Sequence, residues 1–203
     1  MAGLRRIKKE VLAILAAGAA EAEVDERLAA YREEDLIHPL FSALCQTDEG
    51  QRLQAALTFG RVVARLAARD MEAARVVMRR LLWSLNDESG GIGWGAPEAM
   101  AAIMVCSPAL ADEYLHLLVS YLKEDEDEPF QDGNFLELPM LQRGLLWGIG
   151  QVAGRWPERL LAMGVAGELE KYLSSPDKKV VALARSCYVR LGLAAPTVPP
   201  ATR

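Results

Sequence analysis

Four short blocks recur along the chain: Ala56-Leu-Thr-Phe-Gly60, Ala99-Met-Ala-Ala-Ile103, Gly144-Leu-Leu-Trp-Gly148 and Ala184-Arg-Ser-Cys-Tyr188. Their starting points lie 43, 45 and 40 residues apart. Each block opens on a small residue and lies in a stretch whose apolar positions follow a period near 3.6, the mark of an amphipathic helix. A spacing of that length holds two helices and their turns, and a small residue at the head of each block lets successive helices approach closely. The chain is therefore expected to be all-α, built from helix pairs that stack.

Helix starts and stops place the elements. Residues 4 to 17 form a first amphipathic helix closed by Gly18, and Glu23 to Tyr31 a second, short one. Glu33, Glu34 and Asp35 read as a polar turn, after which His38 occupies an N-cap position before Pro39. Thr47 and Asp48 begin a long helix through Ala67, and Met71 to Leu85 makes another. Between Asn86 and Met100 helical periodicity stops. Glycines at 90, 91, 93 and 95 admit positive φ at little cost, so a tight loop is expected. Pro97 then has the place of a first-turn proline, and Glu98 sits at the positive end of the helix dipole. Ser107 and Pro108 restart the chain as a helix. Pro139 opens one containing Gly144 and Gly148, and Pro157 one that Gly164 or Gly167 interrupts. Ser175, Pro176 and Asp177 cap the last helix, Val180 to Leu191, before a proline-rich tail.

A helix pair recurring at about 40 to 47 residues is the period of HEAT and armadillo arrays, and the chain resembles a HEAT-like repeat protein over roughly Glu34 to Leu193. Asp48 and Asp177 match the acidic residue that often begins the inner helix; Pro97 and Pro139 stand there in the other two repeats. The block Ser89-Gly-Gly-Ile-Gly-Trp-Gly-Ala-Pro-Glu-Ala-Met100 is similar to one in uncharacterised HEAT-like proteins of anaerobic sulfate- and metal-reducing bacteria. The resemblance implies a right-handed superhelical solenoid of about four helix pairs. Residues 1–33 would be N-terminal capping helices, 34–193 the array and 194–203 a flexible tail, one structural domain in all. In such arrays the second helices line an inner face where partners bind.

The four inner helices, roughly 48–69, 96–106, 139–155 and 176–191, carry a formal net charge of +6, against −11 for the remainder. A basic inner face attracts an acidic partner segment. The expected function is thus a non-catalytic protein–protein interaction scaffold, with Arg61, Arg65, Trp94, Glu98 and Arg143 as partner-binding residues. The alternative is an anionic small molecule, or an accessory or lyase-like enzyme, at the Gly90–Pro97 loop. Gly91, Gly93 and Gly95 would there present backbone N–H groups beside a helix N-terminus. No strand precedes the loop and neither GxGxxG nor GKS/GKT is present, so no dinucleotide or P-loop fold is supported. HEAT-like folds include bilin lyases and alkyl-base DNA glycosylases, but a sequence pI near 5.2 argues against nucleic acid.

Other chemistry is sparse. No catalytic residue, cofactor or metal site is expected: His38 and His116 are the two histidines, no CxxC pair exists, and Glu124-Asp-Glu-Asp-Glu128 reads as a solvated loop. Cys45, Cys106 and Cys187 lie in apolar helical patterns and read as reduced core thiols of a cytoplasmic protein. No apolar run approaches the roughly 20 residues of a membrane span, and no signal peptide is evident. Trp83, Trp147 and Trp156 fall at helical apolar positions and are assigned to packing.

Overall fold

The computed structural model describes residues 2–86, 92–124 and 134–196. Among the described residues it holds eleven α-helices, one 3-10 segment and no strand. None of these helices is long and apolar enough to cross a membrane. Two compact units, residues 1–111 and 112–203, divide the chain.

The first unit contains α1 (Ala2–Ala16), α2 (Glu21–Leu28), α3 (Glu33–Leu44), α4 (Glu49–Arg69), α5 (Met71–Leu85), α6 (Ala96–Cys106) and the start of α7 (Pro108–Ser120). Asp48 caps α4 by accepting from the Gln51 N–H at 2.8 Å. Asp70 ends α4 and also caps α5, accepting from the Ala73 N–H at 3.0 Å. Two helices therefore meet at one residue. On α4 the stripe Ala55, Ala56, Phe59, Val62, Val63 and Leu66 is buried, and removing a side chain such as Phe59 from water contributes about 2–3 kcal/mol. α4 packs on both α3 and α6, and α6 buries nine of its eleven residues. Gly60 permits the approach: a Cβ built on it would lie 2.6 Å from the Ala102 carbonyl oxygen.

One element departs from the sequence expectation. The polar turn at 33–35 and the helix start at Pro39 are a single helix, with Pro39 buried inside α3. Leu36, Ile37 and Leu40 are buried together, and this stripe forms only if the helix begins at Glu33. The three acids then occupy the first turn, where the helix dipole favours them. Burial along the whole stripe outweighs the hydrogen bond that proline withholds.

The second unit holds the rest of α7, α8 (Pro139–Ala153), α9 (Pro157–Ala162), α10 (Val165–Glu168), the 3-10 segment Glu170–Ser174 and α11 (Lys178–Arg190). The interruption expected after Pro157 falls at Gly164, which takes φ +75°. α8 lies against α11, where the Cys187 thiol donates to the Leu146 carbonyl at 3.1 Å and Arg190 to the Gly150 carbonyl at 3.0 Å. Tyr188 donates its hydroxyl to the Ala166 carbonyl at 2.6 Å, tying α11 to α10.

The cysteines divide differently from the expectation. Only Cys187 is a core thiol, its pKa pushed up to about 12 by burial. Cys45 and Cys106 are exposed, because each falls at the end of its helix, where the apolar stripe turns outward. His116 is exposed on α7. Trp83, assigned to packing by its spacing, is 55% exposed on α5. Trp147 and Trp156 are half-buried.

Candidate functional site

The loop before α6 roofs a pocket in the first unit. Gly93 and Gly95 take φ +67° and +72°, conformations that other residues enter only at a cost. Both also touch neighbours: a Cβ on Gly93 would meet the Ser84 carbonyl oxygen at 2.7 Å, and one on Gly95 would meet the Leu44 Cβ at 2.9 Å. The loop is thereby laid across the C-terminal ends of α3 and α5. Beneath it lies a cavity of about 410 Å³, walled by Phe41, Leu44, Cys45 and Thr47 from the end of α3, Leu81 and Ser84 from α5, and Ile92, Gly93, Trp94 and Ala96 from above. Trp94 is half-buried and Ile92 is 51% exposed. Most of the lining is apolar, and the volume falls within the range of sites that bury a small ligand or an anchoring side chain.

The sequence-derived residues are only partly brought together. Gly93 and Trp94 line the pocket, and Gly95, the left-handed N-cap of α6, abuts its Leu44 wall. Gly91 lies outside the described residues. Glu98 is buried at 5% exposure rather than presented to a partner. Its pKa is raised by desolvation, against the opposing pull of its own backbone N–H and of Arg52, whose guanidinium lies 3.9 Å away.

That carboxylate also bears on anion binding at the loop. In the first turn of α6 the Ala96 N–H bonds to the Gly93 carbonyl, Pro97 has no N–H, and the Ala99 N–H bonds to the Gly95 carbonyl. The Glu98 carboxylate lies in the same turn, where its own backbone N–H pulls its pKa down against the desolvation. A phosphate approaching this turn would compete with a carboxylate covalently in place.

The expected basic face is compensated from within. Arg61 pairs with Asp25 at 2.7 Å and Glu21 at 3.2 Å, Arg65 with Glu33 at 3.5 Å, and Arg69 with both Glu33 and Glu34. In the second unit Arg143 is held by Asp177, its Nε donating at 2.9 Å. Counting charge helix by helix separates these arginines from acids that the fold places opposite them. Arg61 and Arg65 therefore act first as ties between α4 and the starts of α2 and α3, and neither lines the pocket.

Sequence reading missed most of the pocket wall. Phe41, Leu44 and Leu81 have core periodicity, and nothing in a periodic pattern tells a packed position from one bordering a void. Phe41 meets the buried Phe59 edge-on at 5.1 Å on one side and carries the Arg80 guanidinium at 4.2 Å over its ring.

No family model matches the chain. No curated protein matches it either. Among solved structures it is similar to two engineered proteins from a structural genomics consortium, each 16% identical. The first gives a TM-score of 0.46 over 91% of this chain, and the second 0.45 over 92%. The chain spans about half the length of the first, 48%, and 79% of the second.

Proposed function

We propose that this chain is a non-catalytic binding module of HEAT-like build whose recognition element is the pocket under Ile92–Trp94, filled by apolar side chains of a protein partner. Support for the helix-pair reading comes from the second helices: α4 packs chiefly on α6 in one unit, and α8 on α11 in the other. The observation that carries the function is the pocket itself, a 410 Å³ apolar cavity left open beside an exposed Ile92 and a half-exposed Trp94. Apolar surface in a concave site with a tryptophan wall is the setting in which interface hot spots occur. Interior apolar surface of this extent gains most when a partner covers it.

The test is a pull-down from the native host with the tagged chain, with and without nuclease, comparing wild type with Cys45→Trp, which fills the cavity from an exposed position, and with Trp94→Ala, which removes a wall. A nuclease-resistant protein captured by the wild type and lost from both variants, at melting temperatures close to wild type, is the expected result. Equal capture by all three proteins removes the pocket from the account, and capture lost on nuclease treatment points to nucleic acid instead.

A further inference from the structure

The surface around the pocket narrows what enters it. On α5, Val76, Arg80 and Trp83 fall at i, i+4 and i+7, one stripe of the helix. Val76 is 45% and Trp83 55% exposed. Ser84, which lines the pocket, lies one turn beyond Arg80, so the stripe borders the cavity. From Val76 to Trp83 it runs about 10 Å along the helix axis.

Arg80 is distinguished by its pairing. The other arginines of α4 and α5 all meet carboxylates: Arg52, Arg61, Arg65 and Arg69 as described, with Arg75 and Arg79 sharing Glu72 at 3.5 Å and 2.6 Å. Arg80 meets none among the described residues and stacks on the pocket-lining Phe41. Stacking fixes the cation at the cavity rim without neutralising it.

We infer that the occupant is an acidic amphipathic helix of a partner protein, lying along α5 with apolar side chains in the pocket and a carboxylate on Arg80. This rests on the pocket being the recognition element. A small apolar acid fits the cavity and the cation, but leaves Val76 and Trp83 bare. A helix with apolar anchors at i, i+3 or i+4, and i+7 has the pitch of the stripe and reaches both features. A basic segment brings its charge against Arg80 and is rejected.

The experiment selects binders from a displayed library of 16-residue helical peptides on the full chain, then measures the enriched peptides by fluorescence anisotropy. The inference expects apolar anchors at helical spacing with Asp or Glu beside them, and affinity falling about fivefold or more in Arg80→Glu. Exchanging the peptide's acid for Lys restores part of that loss. Arg80→Gln, which keeps bulk without charge reversal, weakens binding less and guards against a folding defect. Enriched peptides without acidic preference, or affinity within twofold in Arg80→Glu, overturn the inference; if Cys45→Trp still abolishes binding, the pocket reading survives it. Peptides that bind Cys45→Trp as well as wild type overturn both. Decanoate bound more tightly than every enriched peptide, and unaffected by Trp83→Ser, replaces the partner helix with a small apolar acid.

Discussion

Gly60→Ala tests the close approach of α4 to α6 in the first unit. A methyl group at this position lies 2.6 Å from the Ala102 carbonyl oxygen and 2.7 Å from its carbon, and both obstacles are backbone. Ordinary van der Waals contact begins near 3.4 Å, so α4 and α6 must separate by roughly 0.8 Å, the scale of overpacking that costs about 1–3 kcal/mol. Because no side chain can rotate away, the upper end of that range applies. Alanine in a helix interior returns about 1 kcal/mol relative to glycine, leaving a net loss of about 2 kcal/mol. For a chain of this size that lowers the melting temperature by about 4–8 °C. Gly167→Ala is the internal control: nothing stands within 4 Å of its Cβ position, and a gain of about 0.4–1 kcal/mol is expected. Urea denaturation of both variants gives the comparison. Gly60→Ala as stable as the wild type, or stabilised like Gly167→Ala, refutes the steric reasoning.

Three further perturbations address the charged groups. The folded-state pKa of Glu98 is raised by burial, so its contribution to stability is present below the unfolded carboxylate value and is lost as pH rises through the folded one. Glu98→Gln is expected to gain about 1 kcal/mol at pH 8 and nothing at pH 4, as followed by melting temperature across pH; a loss at pH 8 shows that the Arg52 pair dominates. Asp177 is shifted the opposite way, downward, chiefly by the Arg143 hydrogen bond. Its stabilisation is present above the unfolded value and lost as pH falls through the folded one. Asp177→Asn, which keeps a helix cap, should melt below wild type at pH 7, with the two converging near pH 2. Arg61→Glu places a third carboxylate beside Glu21 and Asp25. It should cost about 2 kcal/mol, less than a fully buried pair, and speed hydrogen exchange across α2; unchanged exchange there means that α2 is held by its apolar contacts alone.

Legibility in the sequence follows the range of the interaction. Asp48 and Asp177 cap the helices they were expected to cap, and Pro97, Pro139 and Pro157 stand in first turns, because these signals act within three or four residues. His38 and Pro39 carried an equally local signal, yet the buried stripe Leu36, Ile37 and Leu40 overrode it. The charge pattern failed at longer range. Arg61 meets Glu21 from 40 positions away, and Arg69 meets Glu34 from 35, so a tally along the chain finds the bases and misplaces their acids.

The glycine-rich loop shows where such reading stops. Its tightness was visible, but the same glycines admit two opposite uses: to expose N–H groups to a ligand, or to let the backbone rest on other atoms. In the first turn of α6 the Ala96 and Ala99 N–H groups are spent on Gly93 and Gly95, while Gly93 and Gly95 press against Ser84 and Leu44. These contacts are of the second kind. They also explain why a cavity remains: positive φ and close contact fix the course of the roof through the backbone, so the roof cannot settle onto Phe41 and Leu81 to fill the space. A side chain at either glycine has to lift the roof or leave the left-handed region, and both displace Trp94 from the wall it forms.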